Sequence, residues 1–205
     1  LIDQDNKAMN SEIKSYSMGN GNKQIMWFLS PPYERGIAVY KIEKSNGVND
    51  MYMWLPSFKK ERKISSRSKT KSFMNSDLSY EDLYSRKLED FTYELVKSDS
   101  PNFYIIKSIP NKDIESGYGS HISWVDKEKF VVVKEESYDE NRKLIKTKTM
   151  GYIEVDGFYI INTVEVLNAK NKHRTILEFN DIKINTGLKD SDFNRMNIRR
   201  IPLEK

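Results

Sequence analysis

Apolar and polar residues alternate with a period of two along most of the chain, the mark of strands that bury one face. Segments 8–18, 23–29, 36–43, 50–55, 91–97, 103–109, 121–126, 130–138, 142–156, 158–169 and 173–185 all read as extended. Within them the alternation sorts side chains. Ile37, Val39 and Lys41 fall on one face and Ala38, Tyr40 and Ile42 on the other, while Met51, Met53 and Leu55 oppose Tyr52 and Trp54. Turn residues sit where the pattern breaks: Gly19-Asn20-Gly21-Asn22, Ser45-Asn46-Gly47, residues 139–142, Asp156-Gly157 and residues 170–172. Pro31-Pro32 and Pro56 close two strands. About eleven strands with short connections, and no strand–helix–strand alternation, predict a mainly β fold in one domain spanning 1–205. Its expected form is an antiparallel meander curled on itself.

Residues 56–90 interrupt this pattern with an irregular, basic, serine-rich excursion, and long excursions in compact domains tend to be functional. At its end Ser79 and Asp82 have capping-box spacing, which predicts a short helix with Tyr80, Leu83 and Tyr84 on one face. Glu81 and Asp82 then read as favourable negative charge at the helix start. A second short helix is expected over 188–200, capped by Asp190 or Ser191 and presenting Phe193, Met196 and Ile198.

Composition narrows the chemistry. The 205 residues are 38% hydrophobic, and Lys plus Arg exceed Asp plus Glu by 34 to 30. Residues 59–71 alone hold seven basic residues and one acidic, a net of +6, which leaves −2 for the rest. A nucleic-acid footprint spread over the fold is therefore not indicated, and aromatics for base stacking are not interleaved with the basic residues. The longest apolar runs, 25–29 and 51–55, are five residues each, far short of the roughly 20 of a membrane-spanning helix. Without Cys there are no disulfides, thiolate metal sites or cysteine nucleophiles. His121 and His173 stand isolated, each in a strand-like segment. No Gly-x-Ser-x-Gly elbow or glycine-rich phosphate loop occurs. The expectation is a non-enzyme without metal or cofactor.

The interruption itself carries a resemblance. Leu55-Pro56, Lys60, Arg62-Lys63-Ile64-Ser65, Ser72-Phe73-Met74, Ser76-Asp77 and Tyr80-Glu81-Asp82-Leu83 follow in order the central motif of the LolA-like proteins, the outer-membrane lipoprotein-sorting family. More loosely, Pro32-Tyr33-Glu34-Arg35-Gly36 and Asp190-Ser191-Asp192-Phe193 resemble its flanking segments, so the resemblance spans about residues 20–200. Asn75 replaces the usual Gly, a mild change because Asn tolerates positive φ, and Leu78 stands where Phe is common.

This resemblance implies a half-open antiparallel β-barrel whose concave face is plugged by short helices and a loop. It implies a periplasmic location in a diderm bacterium, a signal peptide already removed ahead of Leu1, and non-covalent carriage of lipid or lipoprotein acyl chains by a monomer. An acyl chain needs only a dry cleft, each buried CH₂ contributing about 0.8 kcal/mol. Candidate lining residues are Trp54, Phe58, Phe73, Met74, Leu78, Tyr80 and Leu83 from the plug, and Met26, Phe28, Val39, Met53 and Trp124 from the strands; for all of them ordinary core is the competing reading. Lys59, Lys60, Arg62, Lys63, Arg67, Lys69 and Lys71 are candidates for docking on anionic headgroups, against a plain solvated loop or a nucleic-acid phosphate contact. The alternative function is a non-catalytic accessory subunit that docks through 59–71 on a resistance-nodulation-division-type lipid exporter.

Overall fold

The computed structural model of the chain describes residues 1–2, 8–44 and 49–202. The expected turn at Ser45-Asn46-Gly47 lies outside the described residues. The chain divides into two compact units, one built from residues 9–69 and 185–205 and the other from 1–8 and 70–184. Each contains one antiparallel sheet that does not close on itself, so the mainly β expectation stands. Among the described residues twelve strands form, against about eleven expected.

The first unit holds β1 (Glu12–Met18), β2 (Lys23–Ser30), β3 (Ala38–Glu43), β4 (Asn49–Leu55) and β5 (Lys60–Lys63), ordered as in the chain. β1 starts at Glu12, four residues later than its pattern suggested. Gly19, Asn20 and Gly21 take φ of 64°, 54° and 86°, which makes the tight β1–β2 turn. β5 is the unexpected strand. After a 3-10 turn over Pro56–Phe58, Lys59 enters the left-handed region at φ 48° and reverses the chain, so the basic run pairs back along β4. The alternation holds as read: Ile25, Trp27, Ala38, Tyr40, Tyr52 and Trp54 share one face, against which Phe193 and Ile198 of the C-terminal segment are buried. That segment makes 3-10 turns over Asp190–Phe193 and Arg195–Arg199 instead of one helix. The expected caps Asp190 and Ser191 give way to Asp192, whose carboxylate accepts from the Lys189 N–H at 2.7 Å, and Asn194, which accepts from Met196 N–H at 2.9 Å.

The second unit is a seven-stranded meander of β6 (Phe91–Val96), β7 (Phe103–Pro110), β8 (Ser120–Asp126), β9 (Val132–Tyr138), β10 (Leu144–Val155), β11 (Phe158–Asn168) and β12 (Arg174–Glu178). β12 ends at Glu178, not at 185. Asp156 (φ 50°) and Gly157 (φ 80°) form the β10–β11 turn. The helix expected near 80 is a single 3-10 turn, Glu81–Leu83, and every helical segment among the described residues is of this kind, three to five residues long. Gly119 is required by close approach: a Cβ there would lie 2.5 Å from the Asp139 carbonyl oxygen and 2.7 Å from Glu140 Cα. Backbone cannot yield as a flexible side chain would, so Gly119→Ala is expected to cost about 1–3 kcal/mol in urea unfolding.

Candidate functional site

Antiparallel register aligns side chains across the seven-stranded sheet in transverse rows that share a face. One row runs Leu95, Ile106, Ser123, Glu135, Lys148, Val166 and Thr175; the next runs Tyr93, Ser108, His121, Ser137, Lys146 and Asn168. The middle of this face is polar yet buried, with His121, Glu135, Ser137, Lys146 and Thr175 all at most 4% exposed. Buried charges require partners, and they come from the segment 71–86, which lies across the face as a strap.

Two carboxylates of the strap anchor it. Asp82, 2% exposed in its side chain, accepts from Lys146 Nζ at 2.5 Å and Lys148 Nζ at 3.1 Å. Lys148 also reaches Glu135 at 2.8 Å, and Arg86 pairs with the other oxygen of Glu135. Cations and anions thus alternate from Lys146 through Asp82, Lys148 and Glu135 to Arg86. Asp77 forms the second anchor, accepting from Thr175 Oγ1 at 2.7 Å and Asn168 Nδ2 at 3.3 Å, with His173 Nδ1 at 2.6 Å. Glu81 accepts from Ser116 Oγ at 2.5 Å and Gly117 N–H at 2.7 Å. The Tyr118 hydroxyl donates to Asp82 at 3.0 Å. The reciprocal Ser79–Asp82 bonds expected of a capping box are present at 2.7 and 3.3 Å. The reading of Glu81 and Asp82 as helix-start charges is corrected: the turn is too short for a macrodipole, and both carboxylates are spent on specific partners.

The charge states follow. Burial alone raises the Asp82 carboxyl, but Lys148 and Lys146 overcome it and hold the group far below the usual range. Glu135 has the same balance, burial opposed by Lys148 and Arg86, and falls to about 2. Burial drives His121 down to about 4, with Arg86 adding to the effect, so its ring is neutral at pH 7. Burial opposes the charge of Lys148, yet the two flanking carboxylates raise it.

Past the network this face turns apolar. Met150, Val164 and Leu177 form the adjoining row and are only partly buried; at the other side Ile106 is partly buried and Leu95 is 67% exposed. A separate cavity of about 400 Å³ beside the 111–119 loop is lined by Lys107, Lys112, Arg142, Asp139 and Glu140 among others, a wall too polar for an acyl chain.

The sequence candidates separate into groups. Phe73 and Leu78 are buried within the strap, and Tyr80 stands edge-on to Phe73 at 5.6 Å; Met74 (φ 48°) and Leu83 are partly buried beside them. Asn75 takes φ 60°, the conformation Gly would favour. Trp124 lies on the opposite face of its sheet, with Lys134 Nζ 4.2 Å from its ring centre. In the five-stranded sheet Met26, Phe28, Val39 and Met53 are all buried on one face, and Trp54 sits on the other, beneath Arg199. Phe58 is 71% exposed at its turn. Of the basic candidates, Lys59, Lys60, Arg62, Arg67 and Lys71 are exposed and Lys69 is partly buried. Lys63 is engaged with Asp50 at 2.8 Å, so part of its charge serves the fold. Sequence reasoning missed Glu135, Lys146 and Lys148. Their shared parity along β9 and β10 was the available signal, but Lys134 and Glu136 put equal charge on the other face and masked it.

A family model described as "-like: Uncharacterized protein" matches residues 20–200. No curated protein matches significantly. Among solved structures, an outer membrane lipoprotein-sorting protein domain from Vibrio parahaemolyticus is 30% identical, with a TM-score of 0.83, covering 93% of this chain and 83% of that one. A DUF1329 family protein from Desulfovibrio piger ATCC 29098 is 24% identical, with a TM-score of 0.79 over 92% and 82%. A LolA superfamily protein from Nitrosomonas europaea is 20% identical, with a TM-score of 0.74 over 95% and 86%.

Proposed function

Since the chain belongs to the outer membrane lipoprotein-sorting protein family and has its LolA-like fold, we propose that it is a periplasmic carrier of lipid or lipoprotein acyl chains. Binding is non-covalent, by burial of hydrocarbon, and uses no catalytic group. The observation that carries this reading is the apolar end of the strap-bearing face, where Met150, Val164 and Leu177 stand only partly buried beside a rigid, charge-locked centre. Partly open aliphatic and Met side chains adapt to chains of differing shape. Each CH₂ moved onto them from water contributes about 0.8 kcal/mol. The exposed Lys59, Lys60 and Arg62 suit contact with anionic headgroups where cargo is exchanged.

Displacement of a fluorescent fatty acid tests the reading. Met150→Asp and Val164→Asp are each expected to weaken binding at least tenfold while lowering the melting midpoint only slightly, because both positions are already partly exposed. Unchanged affinity in both variants would refute an acyl site on this face. Mass spectrometry of an organic extract from natively purified protein should show co-purified lipid.

A further inference from the structure

A meander places alternate turns at the same end of its sheet. One end of the seven-stranded sheet gathers the β6–β7 turn, the β8–β9 turn, the β10–β11 turn and the exit of β12. Exposed aromatics collect there: Phe130 at 73%, Phe158 at 58%, Phe179 at 43%, Tyr159 at 42% and Tyr104 at 41%. Contacts join the turns into one rim. Lys129 Nζ of the β8–β9 turn lies 5.4 Å from the Tyr159 ring centre, and Lys127 Nζ lies 5.2 Å from that of Tyr104. Lys127 also donates from Nζ to the Ser100 carbonyl at 2.8 Å and from its backbone N–H to the Asn102 carbonyl at 2.9 Å.

Folding does not account for these aromatics. Phe130 sits at φ 53°, a left-handed conformation that bulky residues enter at a cost and that Asn or Gly would fill better. The turn is already closed by other groups, the Asp126 carboxylate accepting from Glu128 and Lys129 N–H and the Asp126 carbonyl accepting from Phe130 N–H at 3.0 Å. A strained backbone bearing a ring held mostly in water points to a role outside the fold.

We propose that this rim is a surface that docks on a lipid bilayer. Phe130 and Phe158 enter the boundary between headgroups and acyl chains, Tyr104 and Tyr159 lie at headgroup level, and Lys127 and Lys129 reach up to phosphates along the ring faces. A lipid surface fits better than a protein groove because the rings project from several turn tips at one end of the sheet and pair with ammonium groups, the amphipathic arrangement of membrane interfaces. Asp126, Glu128 and Asp156 stand among the lysines, so attraction is chiefly apolar and needs no anionic lipid.

Co-flotation with vesicles, one set of phosphatidylcholine and one of phosphatidylcholine with phosphatidylglycerol, tests the rim. The full chain is expected to associate with both, with little salt dependence. Phe130→Asn and Phe158→Ser are each expected to reduce association about tenfold, with the melting midpoint unchanged, or raised for Phe130→Asn. A Lys59→Glu, Lys60→Glu, Arg62→Glu variant should keep its association with phosphatidylcholine, and Met150→Asp should keep vesicle association while losing fatty-acid binding, which separates this proposal from the carrier reading. The proposal is overturned if the full chain floats with neither vesicle, if it floats only with anionic vesicles and is released by salt, or if both Phe variants associate as well as the parent.

Discussion

Replacing Asp82 with Ala is expected to lower unfolding stability by about 3–5 kcal/mol, measured by urea titration at pH 7, because it takes the carboxylate from buried Lys146 and leaves buried Lys148 with Glu135 alone. Lys146 and Lys148 are 5% and 12% exposed in their side chains, and Asp82 is the carboxylate both of them contact. Lys23–Asp190 provides the control. It has the same 2.5 Å separation, but Asp190 is 78% exposed, so Asp190→Ala should cost no more than about 1 kcal/mol. Equal losses in the two variants would mean that geometry, not desolvation, sets the strength of these pairs. A large loss for Asp82→Ala alone would establish the strap as pinned by charge more than by Phe73 and Leu78.

Acid is expected to weaken the same unit in two stages. The first belongs to His121, whose ring titrates near 4 in the folded protein and near 6.5 in an unfolded chain. Between those values the unfolded state binds more protons, so stability is full above about pH 6.5 and is lost as pH falls toward 4, by about 3 kcal/mol. The second belongs to Glu135 and Asp82, whose folded carboxyls are depressed. Their contribution is present above the ordinary carboxylate range and is lost as pH falls from about 4.5 toward 2. His121→Asn, which can keep a hydrogen bond to Ser137 in place of the 2.9 Å contact, should abolish the first stage and leave the second. A parent protein whose urea midpoint is flat from pH 7 to 4.5 would contradict this assignment.

The strap shows how a motif can be legible without its reason being so. Its run of Ser, Phe, Met, Asp and Glu stands out in the sequence, and the Ser79–Asp82 spacing and the tolerance of Asn75 for positive φ both follow from local chemistry. What Asp77 and Asp82 are for does not. Their partners Lys146, Lys148, His173 and Thr175 lie 64 to 98 residues away in sequence. A strand lysine reads as solvated until something covers it. β5 was missed for a related reason: the sequence Lys60-Glu61-Arg62-Lys63 has no apolar alternation, and it is a strand because β4 offers it backbone partners.

Local rules therefore sufficed for every strand but β5, most turns and the split of those strands into two faces, since backbone sterics and period-two burial act over a few residues. The division into two sheets, the face that each candidate occupies, the buried run of charge under the strap and the aromatic rim at one sheet end were settled by tertiary structure. They depend on register and burial between distant segments, and desolvation, which decides whether a charge is cheap or costly, exists only once those segments meet.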